Sequence, residues 1–586
     1  MLTSSRFSDT GTSTQASDAG RPDAVPGGRL LQNAPSAVRP YCGSLNATEI
    51  VLWCLLYVTA VAGILYHAGG PGLSDDSYQY LSEAENIDDG HGLTTSIVHF
   101  DTERSHGRLP APLTTFPPGY SLAVAAATRT GLASETAGLL LSAASFIFLV
   151  PLIACGAGLL ELSPVVTRVA LVLLLGSFAA NLYATAVATE SLFTALTLGA
   201  LLCLLLHERA RGGTPVAAAG NLLTGCACWV RYAGLFLFVA VAVYLAWRAS
   251  RRRDRQSVIA AACLALPAGL ISGLLTRNIL LTGSWKGGNT KAVVHPLMAV
   301  LKQFGVSTYH LFFGEGVPTR LGALQVTLCV GLVLLSILLF VTIARLSSSL
   351  GIRTALGSGF PHAGLLLVYV VVYNAGMIYL GMFSVISFGS RMFYPLLPVY
   401  LLLSGLVLTR VRALPGARST PLAWIACAAM IVGSYWGINL ENTVAHRSVP
   451  PDRVVEASFA FPSRTGGSLR SWFDANVPLD AVVVATNGQA TAYALKREAV
   501  SLVGSHYSDQ HWDEEEVRAV MQRYGARLLI LYPQTDPMIE PVQQESAFLR
   551  ELIEGRRPQW LQLTAENGQV MIFQCPAAWA ATSHKN

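Results

Sequence analysis

The run Glu49-Ile50-Val51-Leu52-Trp53-Cys54-Leu55-Leu56-Tyr57-Val58-Thr59-Ala60-Val61-Ala62-Gly63-Ile64-Leu65-Tyr66-His67-Ala68-Gly69 gives way, a few residues later, to Ser74-Asp75-Asp76-Ser77-Tyr78. From Ile50 to Leu73 there is no Asp, Glu, Lys or Arg. About 20 such residues, wound as an α-helix, cross the hydrocarbon core of a bilayer. Similar runs recur near 134–160, 165–186, 190–207, 214–230, 232–248, 257–275, 321–345, 362–383, 392–409 and 420–440, and then stop. This pattern predicts a polytopic α-helical membrane protein of about eleven spans.

Composition supports this reading. Of 586 residues, 52% are hydrophobic and 13% charged, whereas a soluble globular protein spends roughly a quarter of its residues on charge. The net charge of +5 does not point to nucleic acid, because no basic patch interleaved with aromatics exists, and membrane proteins collect Lys and Arg in cytoplasmic loops. Residues 1–45 are rich in Ser, Thr, Gly, Ala and Pro without an apolar run and predict a disordered cytoplasmic leader. Eight of ten cysteines lie in hydrophobic segments, so no disulfide framework is expected.

With the N-terminus inside, the inner loops hold Arg168, Arg209, Arg211, Arg248, Arg251, Arg252, Arg253, Arg255, Arg345, Arg353, Arg410, Arg412 and Arg418, against Glu161, Glu208 and Asp254. This bias fits the positive-inside rule. It treats the short run after Pro117-Pro118-Gly119-Tyr120 as an interfacial or re-entrant helix, since counting it as a span would send the basic loops outside. Two long loops then face outward, 69–133 and 277–320, and loops of that length are usually functional. A transmembrane module of 46–440 and an exported soluble α/β domain of 441–586 follow. In the latter, 481–486, 527–532 and 569–573 read as strands, and 513–524 and 544–555 as helices. Asp513-Glu514-Glu515-Glu516 reads as an acidic first helical turn.

Charges at the predicted outer ends are few and clustered: Asp75 and Asp76 after the first span, Glu190 at the start of another, Arg231 in a tight turn, Arg277 closing a span and Arg391 opening one. Each alone suits a solvated helix end. Together they suit a reaction in which a carboxylate takes a proton from an incoming hydroxyl while guanidinium groups bind a departing phosphate in pairs. His91, His99 and His106 share the first loop without metal-ligand spacing and read as structural or solvated.

The stretch Ser74-Asp75-Asp76-Ser77-Tyr78-Gln79-Tyr80, then Gly90-His91-Gly92-Leu93, Phe116-Pro117-Pro118-Gly119-Tyr120, Thr189-Glu190-Ser191-Leu192-Phe193, Trp229-Val230-Arg231-Tyr232 and Arg391 to Pro398, resembles the GT-C glycosyltransferases. The likeness is to the bacterial branch of protein mannosyltransferases and lipid A aminoarabinose transferases, and covers roughly 49–440 in order. No one motif is specific; their order on the predicted topology carries the signal. The resemblance implies transfer of a hexose or pentose from a polyprenyl-phosphate carrier to a glycan, lipid or protein acceptor. Transfer would be inverting and occur on the non-cytoplasmic side of a bacterial inner membrane, with membrane lipid and no nucleic acid as surroundings. It makes Asp76 the general base, with Asp75 a helper or an N-cap and Glu190 orienting the acceptor. It assigns Arg231 and Arg391, with Arg104, Arg108 and Lys286 as further candidates, to the lipid phosphate, and Tyr80 and Tyr120 to the same substrate side. No cofactor is required; a divalent cation held by Asp76 and Glu190 is optional. The alternative is a transporter or lipid flippase, against which stand the absence of internal repeats and of paired mid-membrane Gly or Pro breaks.

Overall fold

The computed structural model describes residues 45–99, 105–209, 213–285, 293–313, 363–383, 389–412, 450–462, 467–504, 510–533 and 542–575. Among these, seven helices are long and apolar enough to cross a membrane: Ala47–Ala68, Ser134–Leu159, Glu190–Arg209, Gly234–Arg252, Arg255–Thr282, Gly364–Phe383 and Ser390–Thr409. The bent pair Pro164–Leu175 and Phe178–Ala184 makes an eighth if it counts as one span. Helix Thr214–Val230 also occupies an expected position. The expected spans near 321–345 and 420–440 lie outside the described residues. With these helices the chain is an integral membrane protein.

Burial separates core helices from lipid-facing ones. Ala47–Ala68 exposes Val51, Leu52, Leu55, Leu56 and Val58, an apolar face of the kind that lipid covers. Glu190–Arg209 is the central helix, with Phe193, Leu198, Leu201, Leu204 and Leu205 buried, and it packs on Thr214–Val230 and Ser134–Leu159.

Two features depart from the hydropathy reading. The run 165–186 is a broken helix, bent by 63° at Gly176-Ser177. Ser177 caps the second half by accepting from the Ala180 amide and donates to the Leu311 carbonyl 2.9 Å away. The Asn181 amide covers the carbonyl of Leu175 at 2.6 Å. Interrupted backbone at membrane depth is tolerated where protein groups satisfy it in this way. The long loop after 277 is likewise partly helical: the preceding helix continues to Thr282, ending on Gly283 at φ 70°, and Leu297–Phe313 is a further helix.

At one end of the bundle the acidic residues are matched by arginines. Arg168 pairs with Glu49 at 2.5 Å, Arg209 with Glu161, and Arg248 with Glu208, while Asp254 caps a helix through the Ser257 amide at 2.7 Å. Asp76, Glu190, Arg231 and Arg391 gather at the opposite helix ends, as the alternation of spans requires.

The first loop carries helix Asp75–Asp88, a short apolar helix Gly119–Thr128, and strands β1 (Thr94–Thr95), β2 (Ile97–Val98) and β3 (Ala111–Pro112). The C-terminal residues add β4 (Val483–Ala485), β5 (Ala499–Ser501), β6 (Leu528–Leu531), β7 (Gln562–Glu566) and β8 (Met571–Gln574). They form a six-stranded sheet in the order β2-β5-β4-β6-β8-β7. It is parallel from β2 to β6 and antiparallel beyond. Strand β2 thus comes from the first loop and sits as an edge strand on the C-terminal sheet. Asp513 and Glu516 form a capping box on helix Glu514–Arg523, as the acidic turn predicts.

The short helix Gly119–Thr128 starts where its backbone meets the end of helix Thr214–Val230, just before Arg231. A Cβ on Gly119 would lie 2.6 Å from the Trp229 carbonyl oxygen and 2.7 Å from its carbon, a collision with backbone that no side-chain motion relieves. Gly119→Ala is therefore expected to destabilise the protein by about 1–3 kcal/mol, read as a lower thermal midpoint in detergent. Gly63→Ala, with nothing within 4 Å of the added carbon, leaves the midpoint unchanged or slightly raised.

Candidate active site

A short backbone contact assembles the site. Gly72 and Ala186 form a parallel bridge, in which the Gly72 amide donates to the Thr185 carbonyl and the Val187 amide to the Gly72 carbonyl, both at 3.0 Å. Ser77 adds a hydroxyl bond to the Val187 carbonyl at 2.7 Å. The chain entering Asp75–Asp88 is thereby fixed beside the chain entering Glu190–Arg209, so Asp76 and Glu190 stand at neighbouring helix starts although far apart in sequence. An acidic side chain in a first turn is favoured by the helix dipole.

Each carboxylate holds one arginine. Arg391 Nη1 lies 2.7 Å from Asp76 Oδ2, and Arg231 Nη1 lies 2.5 Å from Glu190 Oε1. Arg231 also donates to the Thr189 hydroxyl at 2.7 Å, and its other terminal nitrogen approaches Met392 Sδ at 3.8 Å. The two pairs feel each other: Arg391 is attracted by Glu190 as well as by Asp76, and Arg231 is repelled by Arg391. Exposure separates them. The side chains of Glu190 and Arg231 are 5% and 16% exposed, those of Asp76 and Arg391 27% and 40%.

Tyr80, one helical turn beyond Asp76, is buried between the pairs, and burial followed by the negative charge of Asp76 pushes its phenol well above the usual range. Its ring meets those of Phe116 and Tyr120 edge-on, with centroids 5.2 and 5.3 Å away. Tyr373 closes the far side by donating to the Met392 carbonyl at 2.7 Å, and Tyr183 lies near enough to Arg391 to interact with its charge. Thr189, Tyr183, Tyr373 and Met392 were not singled out from the sequence as site residues; only Thr189 and Met392 adjoined a motif residue there.

Other expected residues are placed differently. The Asp75 backbone carbonyl accepts from the Gln489 side-chain amide at 3.4 Å. Tyr120 is fully buried and its hydroxyl donates to the Gly138 carbonyl at 2.9 Å, beside Ser142 at 3.0 Å, so it ties the first loop to helix Ser134–Leu159. Arg277 holds the carbonyls of Leu93 and Leu113, both at 2.9 Å, and clamps the loop rather than lining a shared cavity. Arg108 is exposed, next to Gly107, which packs on the Arg523 backbone. Arg104 and Lys286 lie outside the described residues. Asp76 and Glu190, expected as the holders of an optional cation, each contact a guanidinium. Among the described residues no three His, Cys, Asp or Glu side chains converge as a metal site.

Glu83, a further turn along from Tyr80, is a buried acid that the sequence did not reveal. Neither of its carboxyl oxygens has a hydrogen bond, and Ser121 and the positive charge of Arg277 are its polar neighbours. Burial outweighs both and pushes its carboxyl up to about 8. Between about 4.5, its ordinary value, and 8 the folded protein keeps this proton while the unfolded chain loses it. Stability therefore falls as pH rises through that window, by roughly 5 kcal/mol at most. Glu83→Gln is expected to raise the thermal midpoint at pH 8 and change it little at pH 4.5; equal effects at both values would contradict this assignment.

No family model matches the chain, and no curated protein sequence matches it. Solved structures do match. The crystal structure of ArnT from Cupriavidus metallidurans bound to undecaprenyl phosphate is 10% identical at a TM-score of 0.52, covering 91% of this chain and 99% of that one. The Archaeoglobus fulgidus oligosaccharyltransferase in complex with Zn and sulfate is 12% identical at a TM-score of 0.51, covering 83% and 68%. Both are GT-C glycosyltransferases, and the chain therefore has the GT-C glycosyltransferase fold.

Proposed function

We propose that the protein is a membrane glycosyltransferase that moves a sugar from a polyprenyl-phosphate carrier to a hydroxyl acceptor, with inversion at the anomeric carbon. The observation that carries this reading is the half-exposed ion pair of Asp76 and Arg391 beside the buried pair of Glu190 and Arg231. An inverting displacement needs a base at the acceptor and positive charge at the departing phosphate. Arg391 supplies that charge from a position a lipid phosphate reaches. As the phosphate takes the guanidinium, Asp76 is released from its partner and faces the acceptor hydroxyl. Glu190 holds Arg231 rigidly behind them, and this second guanidinium strengthens the positive field around the phosphate.

In this assignment Asp76 is the base, Arg391 the phosphate ligand, and Glu190 with Arg231 the positioning pair. Asp75 is a helix-start residue whose backbone carbonyl accepts from Gln489. A divalent cation is not needed for charge balance at the phosphate, since two arginines serve. The fold shared with ArnT, a protein seen bound to undecaprenyl phosphate, supports a lipid-phosphate donor. The site would work on the non-cytoplasmic face of a bacterial inner membrane, a sidedness favoured by the arginine-rich opposite loops.

With membranes and labelled polyprenyl-phosphate sugars, Asp76→Asn is expected to lower kcat by about 10²–10⁴ with donor binding retained. Arg391→Ala is expected to raise the donor KM and lower kcat together. Undiminished transfer by Asp76→Asn would remove it as the base.

A further inference from the structure

Two candidate spans, Gly234–Arg252 and Arg255–Thr282, are joined by Arg253 and Asp254 alone, at the helix ends opposite Asp76. Arg251, Arg252, Arg253 and Arg255 are all exposed there. Three other arginines at these ends are spent on carboxylates: Arg168 on Glu49, Arg209 on Glu161 and Arg248 on Glu208. None of the four side chains in the turn makes an ion pair or a hydrogen bond with a described residue. Asp254, the acid among them, is committed to capping the second helix through the Ser257 amide at 2.7 Å.

Two of the four stand where helix stability alone would not put an arginine. Arg253 takes φ 50° as the left-handed cap of the first helix, a place that Gly69 and Gly283 fill at the ends of two other spans, and a side chain disfavours that conformation. Arg255 opens the second helix, where the positive end of the helix dipole disfavours a cation. Both placements make sense if the guanidinium groups act on something outside the chain. The flanking surfaces show what lies there. Trp247 and Val258, about a turn away on either helix, are 57% and 53% exposed. An exposed Trp near the end of a span marks the headgroup level of a bilayer, so the turn stands among lipid phosphates. Arginine forks bind phosphate oxygens in pairs, and each basic residue beside a span strengthens the attraction to anionic lipid by about fivefold.

We propose that the turn 251–255 is a binding site for the headgroup of an anionic phospholipid, which sets its phosphodiester against these unpaired guanidinium groups. The occupant is lipid of the surrounding bilayer, because the exposed Trp247 and Val258 hold the turn at the bilayer surface. The site is independent of the transferase reading, since it lies at the helix ends away from Asp76 and Arg391. A lipid bound here bridges the two spans that the turn connects.

The test uses the full chain in a non-ionic detergent, titrated with phosphatidylglycerol or phosphatidylcholine, with retained lipid counted by native mass spectrometry. Wild type is expected to retain phosphatidylglycerol about tenfold or more over phosphatidylcholine. Arg251→Gln, Arg252→Gln and Arg255→Gln are each expected to weaken that retention about fivefold, and Arg251→Lys, Arg252→Lys and Arg255→Lys to keep most of it. Arg253→Gly is expected to weaken it equally while raising the thermal midpoint without lipid, because glycine relieves the left-handed turn. A variant with Arg129, Arg550, Arg556 and Arg557 changed to Gln, four exposed arginines away from the turn, is expected to match wild type. Equal retention of the two lipids by wild type, or undiminished retention in all four turn variants, would overturn the site. Loss of phosphatidylglycerol from Arg391→Ala alone would put the lipid at the opposite helix ends and overturn it as well.

Discussion

An ionised side chain at the edge of an apolar bundle needs either water or a partner, and the Glu190–Arg231 pair is where this constraint acts most strongly. Both groups are largely withdrawn from solvent and joined at 2.5 Å. Breaking such a pair by removing one partner costs several kcal/mol, because a charge is then left buried and unpaired. The pair fixes the start of the central helix against the turn after Val230. The end of helix Thr214–Val230, just before Arg231, is in contact with Gly119 of the first loop, so the buried charges set the height at which the loop rests on the bundle. Asp76 and Arg391, on the rim of this frame, remain accessible.

The first loop is held from several sides, and each hold uses ordinary backbone chemistry. Arg277 takes two of its carbonyls, Tyr232 donates to the Thr114 carbonyl at 2.7 Å, and Gly72 pairs with the chain before Glu190. From the C-terminal side, strand β2 joins the sheet and Asp452 accepts from Tyr78 at 2.8 Å, while Tyr493 donates to Glu135 of the bundle helix Ser134–Leu159 at 2.5 Å. The helix bearing Asp76 is therefore clamped between the helix bundle and the C-terminal residues. Reacting groups held within a fraction of an ångström are what proximity catalysis requires, and a clamp of this kind supplies that from two independent surfaces. Glu83, on the helix of this loop, is a buried carboxyl whose dry surroundings favour its protonated form.

The positions of the helices were legible in the sequence because lipid demands a continuous apolar surface about 20 residues long, and such runs announce themselves. The outer-end charges were legible for the same reason, as exceptions in an apolar text. Asp76, Glu190, Arg231 and Arg391, singled out one by one, are brought together by the fold. The bend at Gly176-Ser177 was hidden because Ser, Gly and Asn inside an apolar run do not reveal whether their polar atoms will cap a new helix start. The helix Leu297–Phe313 was hidden because its mixed character reads equally as a loop.

Apolar runs and sparse charge alone make this chain a multi-helix membrane protein with its few charges gathered near helix ends, since the cost of placing charge in hydrocarbon leaves a chain little choice. It also carried the short motifs that resemble GT-C enzymes. The partners come from the folded chain: Asp76 with Arg391, Glu190 with Arg231, Arg277 with the loop backbone, and Tyr120 with Gly138. Those pairings depend on a parallel contact between Gly72 and Ala186, residues 114 positions apart, and on a loop strand joining a sheet built some 400 residues later. Contacts at such separations are set by how whole helices pack, and no local pattern of residues encodes them.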